Sequence, residues 1–325
     1  MTSTGKIALI LGANGGVGGE IASALLKRGW TVRALVRDVE SAARRWRDKE
    51  NTPLFVKGDA MRRDEVAAAT DGVAVIVHAV NPPGYRDWDK LVLPMLDNTI
   101  AVATAIGARV VLPGTVYNFG PDAFANPTED TPQTPRTRKG AIRVKMEKRL
   151  RDAAKAGAPA LILRCGDFFG PHAANNWFSQ GLVKPGRPVT SISYPGRRGV
   201  GHQWAYLPDV GETVAQLLER REALEPFAVF HMEGHWDADG TRMIEAIRGA
   251  IGNPGLPARA FPWWLVTAAS PFVTLFREMR EMRYLWRVPL HMTNRKLVAF
   301  LGREPHTGWQ EAVRETLWGI GSLPA

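Results

Sequence analysis

The stretch "LILGANGGVGGEIASALLKRGW" limits what this chain can fold into more than any other. An apolar run, Ile7 to Leu11, enters a glycine-rich turn at once, and a helical pattern follows. Gly12, Gly15 and Gly18 stand every third residue. Glycine permits the tight turn and a close approach of backbone to ligand, and the next helix offers free N–H groups and its positive dipole end to a pyrophosphate. Between the first strand and first helix of a βαβ unit, such a triplet reads as a dinucleotide-binding turn. Asn14, Gly16 and Val17 fill the turn and join the three glycines as candidate cofactor contacts.

From Lys6 to about Asp167, short β-rich runs alternate with helical stretches: "KIALIL", "TVRALV", "PLFVKG", "VAVIVHAV", "ARVVLP" and "PALILR". Near-continuous apolar strands separated by helices specify a parallel sheet covered on both faces. The expected fold is therefore α/β, a Rossmann-type doubly wound sheet over residues 1–170, with a smaller substrate lobe over 171–325 that returns some elements to the core. That second part mixes Gly and Pro with three helical stretches and carries most of the tryptophans. The Pro-rich connection from Asn118 to Arg138 is long enough to be either functional or disordered, and its place before a basic helix favours function.

The end of the second strand selects among dinucleotides. A free ribose 2′-hydroxyl calls for an acid there, whereas "RALVRD" ends in Val36 and Arg37, with Arg33 four residues earlier. Two guanidiniums suit a 2′-phosphate, so NADP(H) is favoured, with NAD(H) left open because Asp38 could reach a ribose. Asp59, in "KGDAMRRDEV", could accept from an adenine amino group; Ala60 beside it and Ala79 after the fourth strand complete the predicted cofactor set.

Composition excludes several classes. Lys and Arg exceed Asp and Glu by 42 − 32 = 10, which favours anionic ligands, but the densest basic run, "ARRWRDK", reads as a solvated helix face rather than a nucleic-acid surface. Cys165 is the sole cysteine, so no intrachain disulfide forms, and with no signal-peptide core the expectation is a cytoplasmic protein. "FPWWLVTAASPFVTLF" is broken by Pro271 and too short for an integral membrane segment; it reads as a packed helix or an oligomer contact, with peripheral membrane contact as the alternative, and homo-oligomerisation stays open. "HMEGHWDAD", His231 to Asp239, alternates His and acids without the spacing of a closed metal site, so no metal is assigned.

These residues together resemble the short-chain dehydrogenase/reductase superfamily, in its extended or atypical branch of epimerases, dehydratases and related reductases. The resemblance covers nearly the whole chain: the glycine turn, "GDAMRRD", "HAVNP", "DNTIAVATAIG", "VVLPGTVYNFG", "LILRCGDFFGP" and "YLPDVGETV". It implies a Ser or Thr after the fifth strand and a Tyr followed four residues later by Lys. Thr115 matches the hydroxyl position, Phe119 the aromatic one and Gly120 the closing glycine. Downstream, "KGAIRVKME" fits at Gly140 and Glu147, which places Lys139 at the family's tyrosine and Arg143 at its lysine.

Arg143 can keep the positive field and a ribose contact but cannot cycle a proton near neutrality. Lys139 can, if desolvation or a nearby cation lowers its pKa, and Arg143 one helical turn away is the expected cation. Tyr117, two residues after Thr115, is a second candidate phenol. Substrate contacts are expected from Asn81, Asn118, Phe168, Phe169, Asn176, Trp177, Trp204 and Tyr206, an aromatic set suited to a ring or an apolar carbonyl compound as well as to a sugar. Two functions follow: an NADP(H)-dependent oxidoreductase or epimerase-like enzyme acting on a small carbonyl, enone or sugar-type substrate, or a catalytically degenerate cofactor-binding sensor.

Overall fold

A computed structural model describes residues 5–323 except 48, 83–87, 124–125 and 174–175. Seven parallel strands form the main sheet: β1 (Ile7–Leu11), β2 (Thr31–Val36), β3 (Leu54–Lys57), β4 (Val75–His78), β5 (Arg109–Thr115), β6 (Ala160–Cys165) and, far later in the chain, β10 (Phe227–His231). Their order is β3-β2-β1-β4-β5-β6-β10. The chain runs outward from β1 in one direction and then, from β4, in the other, so the loops at the C-terminal strand ends part between β1 and β4 and open a crevice there.

Strand sequence explains both faces of the sheet. Along β1, Ala8 and Ile10 join a core with α1 (Gly16–Lys27) and α6 (Leu207–Glu219), whereas Leu9 and Leu11 join the core beneath α4 (Trp88–Ile106) and α5 (Arg138–Lys155). All these strand residues are fully buried, as continuous apolar runs in parallel sheets require. Two smaller helices, α2 (Val39–Trp46) and α3 (Arg63–Ala68), follow β2 and β3.

The later part of the chain is interleaved with this sheet rather than hung from it. While β10 pairs with β6 and α6 packs on α1, a three-stranded sheet of β7 (Asp167–Phe169), β9 (His202–Tyr206) and β11 (His235–Asp237) builds outward, beside a pair formed by β8 (Ile192–Tyr194) and β12 (Ala258–Ala260). A third core, rich in aromatic rings, sits there with Phe169, Phe178, Trp204, Tyr206 and Trp286 at its centre. It is closed by α7 (Arg242–Ile251), α8 (Trp263–Ala269), α9 (Thr274–Glu281) and α11 (Trp309–Gly319), while α10 (Arg295–Leu301) lies against β10.

The long connection before α5 is fastened down. Glu147, buried on α5, pairs with the buried Arg164 of β6 at 2.7 Å and accepts from Asn118 Nδ2 at 2.8 Å and Gln133 Nε2 at 2.7 Å. Glu129 accepts from the backbone N–H of His231 at 2.8 Å. A buried ion pair of this kind needs its remaining hydrogen bonds satisfied to offset desolvation, and the loop supplies them. Residues 124–125 of this connection lie outside the described residues.

Candidate active site

A cleft of about 760 Å³ runs along the C-terminal ends of the central strands. Residues Gly12 to Val17 line one part of it. Gly12 has φ +96°, and a Cβ there would lie 2.6 Å from the Ala79 carbonyl oxygen, so only glycine fits. Gly15 is the N-cap of α1 and supplies no side-chain cap, and the first turn carries no acid. The first-turn N–H groups and the positive dipole end thus face the cleft undiminished, and the buried Oδ1 of Asn14 has no hydrogen-bond partner. These residues fit a dinucleotide pyrophosphate. Gly18 does something else: a Cβ there would sit 2.4 Å from the Gly12 carbonyl oxygen, so it sets the close packing of α1 on the turn and is not at the cleft wall.

At the β2 end, the expected pair of arginines is split. Arg33 donates to the carbonyl oxygens of Ala69 and Asp71 and does not line the cleft, because it lies within β2, short of the C-terminal strand end where the cleft opens. Arg37 does line it, together with Arg45 of α2, which sequence reasoning passed over as part of a solvated basic face. Asp38 caps α2, accepting from the Ser41 N–H at 3.0 Å, and is not at the cleft wall. Asp59, Ala60 and Ala79 all line the cleft; the Asp59 carboxylate accepts from the Met61 N–H at 2.9 Å.

Further along the same cleft stand Thr115, Tyr117, Lys139 and Arg143. Thr115 ends β5, and its hydroxyl oxygen accepts from the Tyr117 N–H at 3.4 Å, which leaves its own O–H to donate. Thr137 caps α5 by accepting from the Gly140 N–H, and a Cβ on Gly140 would lie 2.2 Å from the Tyr117 carbonyl oxygen. The glycine therefore lets the start of α5 close on the Tyr117 turn and brings Lys139 to the same wall. Its ammonium lies 3.0 Å from Glu278 Oε2 and donates to the Glu278 carbonyl oxygen at 3.2 Å; both side chains are almost wholly buried.

Burial pushes the Lys139 ammonium below its ordinary value, while Glu278 and Glu281 oppose that shift and Arg138 assists it. The direction and its main cause, desolvation, match expectation; the assisting cation is Arg138, where Arg143 was expected. The Arg143 guanidinium donates to the Pro113 carbonyl oxygen at 3.4 Å and lies 5.5 Å from the Trp88 ring. The Arg143 charge falls instead on His78, which burial, aided by that charge, pushes down to about 3. His78 Nδ1 is 2.8 Å from Thr99 Oγ1, which itself donates to the Met95 carbonyl oxygen, so Nδ1 carries the hydrogen and Nε2 the lone pair.

Tyr117 has a second attachment. Its hydroxyl donates to Asp167 Oδ1 at 3.3 Å, and Asp167 Oδ2 lies 2.9 Å from His202 Nε2, whose ring stacks on Trp286 at 3.6 Å. Of the expected substrate residues, Asn81, Phe168, Asn176 and Trp177 line the cleft. Asn118, Phe169, Trp204 and Tyr206 do not: the first is bound to Glu147 and Gln133, and the three aromatics fill the third core. Leu275, Met279 and Met282 complete the wall together with Glu278, all from a segment more than a hundred residues beyond Lys139. No local motif marks these four; only an amphipathic face on α9 hints at them.

In the His231 to Asp239 segment, His231 is held 2.9 Å from Arg164 and Asp237 accepts three backbone N–H groups. Asp209, His235 and His306 bring ligand-type atoms within 4.8 Å of one another, but Thr307 already engages both Asp209 oxygens and His235 Nε2. No metal is assigned to either group.

The sequence model of the NAD dependent epimerase/dehydratase family matches residues 8–234, which takes in the glycine turn, Thr115, α5 and the start of the second lobe. This chain belongs to that family. Its fold is shared over almost its full length with UDP-glucose 4-epimerase from Bifidobacterium longum, solved with NAD+ and UDP: 14% identity, 98% of this chain and 100% of that one covered, TM-score 0.73. UDP-glucose 4-epimerase from Stenotrophomonas maltophila, solved with NAD and formylated UDP-arabinopyranose, is 17% identical over 96% of this chain and 97% of its own, TM-score 0.72. For dTDP-glucose 4,6-dehydratase from Bacillus anthracis, solved with NAD, the values are 14%, 96%, 96% and 0.70. Among curated proteins, none matches the chain. Among the described residues, no helix is long and apolar enough to cross a membrane.

Proposed function

We propose that this protein is a nicotinamide-dependent oxidoreductase that acts on a ring carbon bearing an oxygen, with Thr115 holding that oxygen and Lys139 carrying its proton. The observation that carries this reading is that Thr115, Tyr117 and Lys139 line the same cleft as the glycine cradle. A bound dinucleotide supplies or accepts the hydride. In the reducing direction Thr115 Oγ1 donates a hydrogen bond to the substrate oxygen and the Lys139 ammonium gives it a proton; in the oxidising direction neutral Lys139 takes the proton back. Glu278 keeps the ammonium in place and opposes the effect of burial on its pKa. Arg143, charged at every working pH, holds the cofactor side of the wall.

The cofactor is NADP(H) on this reading. The solved relatives named above carry NAD; what supports a phosphate here is Val36 at the end of β2, Asp38 committed to capping α2, and Arg37 and Arg45 at the cleft wall. The substrate end is lined largely by Met95, Phe168, Trp177, Leu275, Met279 and Met282, which suits a ring-sized, mostly apolar carbonyl compound or alcohol. A degenerate sensor would have no use for a hydroxyl and a buried lysine at the far end of its cofactor cleft.

The test is a panel of cyclic ketones, enones and nucleotide sugars, read by NAD(P)H absorbance, with Thr115→Val and Lys139→Met as controls. One class turned over by the wild type and lost in both variants supports the reading. Full activity in Lys139→Met with none in Tyr117→Phe transfers the proton to Tyr117. Tight cofactor binding with no turnover across the panel favours the sensor.

A further inference from the structure

Four large apolar side chains stand clear of the surface within one short stretch: Trp264 is 74% exposed, Leu265 45%, Phe272 89% and Val273 39%. Other exposed large apolar residues, such as Leu54, Ile106 and Trp318, are spread singly along the chain and call for no explanation. The hairpin of α8 and α9 that bears the four is itself held firmly. Trp263 and Val266 are buried beneath it, Trp263 Nε1 donates to the Pro195 carbonyl oxygen at 2.8 Å, and Met279 is buried on the inner side of α9. The exposed residues are thus the outer side of a packed element.

The surroundings are basic. Between Phe261 and Arg287 the chain has four arginines and two glutamates, and Glu278 is buried against Lys139. Arg277, Arg280 and Arg287 are exposed. Burial and then the like charges of Arg287 and Arg197 push the Arg283 guanidinium below its ordinary value, which shows how closely these cations gather.

We propose that the α8–α9 hairpin docks this protein on the surface of an anionic lipid bilayer. Trp264, Leu265, Phe272 and Val273 enter the boundary between headgroups and acyl chains, and the surrounding arginines meet lipid phosphates. A side chain as exposed as Phe272 offers a protrusion rather than a flat face. A second copy in two-fold contact would bring one basic patch against the other, which opposes association, whereas anionic lipid satisfies both features at once. With 7 and 8 residues, α8 and α9 rest on the surface and do not span it.

The docking surface stands without the catalytic reading, but it bears on the substrate. The inner side of the same hairpin and the turn after it supply Leu275, Glu278, Met279 and Met282 to the cleft, so a docked hairpin sets the apolar wall of the cleft beside the bilayer. On the oxidoreductase reading, the fitting substrates are carbonyl compounds or alcohols that partition into lipid.

Co-sedimentation with phosphatidylcholine vesicles, with and without phosphatidylglycerol, tests the proposal on the full chain. Wild type is expected to partition onto the anionic vesicles, less so at high salt, and Trp264→Ser/Phe272→Ser to partition about tenfold less or weaker still. Unchanged circular dichroism and melting temperature establish that the double variant is folded. No partitioning by wild type, or equal partitioning by the folded variant, overturns the proposal. So does a dimer in sedimentation velocity that the double variant dissociates, which would assign the surface to a second copy.

Discussion

The two ends of the cleft are made in different ways. The cofactor end is backbone: a glycine turn closed by a Gly15 N–H to Gly12 carbonyl bond at 2.9 Å, and a helix start with no side chain in front of it. The reaction end is side chain: Lys139 meets Glu278 139 residues away, and Tyr117 meets Asp167 50 residues away. A backbone cradle restricts only the few positions where a Cβ would intrude. A side-chain site can be respecified one residue at a time, and on the proposed reading Lys139 is such a change on an intact scaffold.

The most damaging way to break the contrast is at the cradle. In Gly15→Val, the new Cβ would lie 3.2 Å from the Gly12 carbonyl oxygen, a contact a small shift can relieve, while the rest of the side chain fills the pyrophosphate position. The expected outcome is a folded protein by circular dichroism with binding of both NADPH and NADH abolished in fluorescence titration. A variant that binds either cofactor normally would remove the cradle from the account.

Next in size is Lys139→Met, expected to lower turnover by about a hundredfold or more with cofactor affinity nearly intact. Removing the ammonium alone leaves Glu278 buried beside Arg138 at 3.4 Å and Arg277 at 3.7 Å, both half exposed, so stability falls as well. Lys139→Met/Glu278→Gln separates the effects: the double variant is expected to recover melting temperature and stay inactive.

Much of the cofactor end was legible because its information is local. Glycines between a strand and a helix fix a turn whatever lies elsewhere, and six of the seven main-sheet strands stand out as short β-rich runs, β10 alone escaping. What escaped was long-range. Arg33 and Arg37 read alike in sequence, yet Arg33 sits within β2, where it is held by the Ala69 and Asp71 carbonyl oxygens, and Arg37 stands just past the strand's C-terminal end, at the cleft. Trp204 and Tyr206 looked like pocket aromatics, but β9 pairs on both sides and buries them. Glu278 carries no motif at all; a buried carboxylate facing a buried ammonium is visible only after both lobes are built.

That pair gives a pH experiment with a definite sign. On the proposed mechanism reduction needs protonated Lys139, so its rate should fall as pH rises through the lysine's lowered pKa. Glu278 raises that pKa, so Glu278→Gln should lower it further and move the alkaline fall of the rate to lower pH. Arg138 lowers it, so Arg138→Met should move the fall slightly the other way. Arg143→Met should chiefly weaken cofactor binding, since its guanidinium stands at the cleft wall beside His78. A pH–rate profile that shifts with Arg143 and ignores Glu278 would assign the proton elsewhere.

The smallest expected effect sits at the other end of the cleft. With Arg33 engaged by the Ala69 and Asp71 carbonyl oxygens, the NADP(H) reading rests on Arg37 and Arg45 at the cleft wall. A planar guanidinium binds phosphate in a paired, charge-assisted fashion, so loss of one of two costs a fraction of the preference. Arg37→Glu is expected to weaken NADPH by about tenfold and improve NADH, since the new carboxylate repels a 2′-phosphate and accepts from a 2′-hydroxyl. Arg33→Ala should change neither dissociation constant. The comparison is sharpest with both variants titrated together: if Arg33→Ala loses NADPH affinity and Arg37→Glu does not, Arg33 leaves its carbonyl partners on binding, and the cofactor end is less fixed than its backbone suggests.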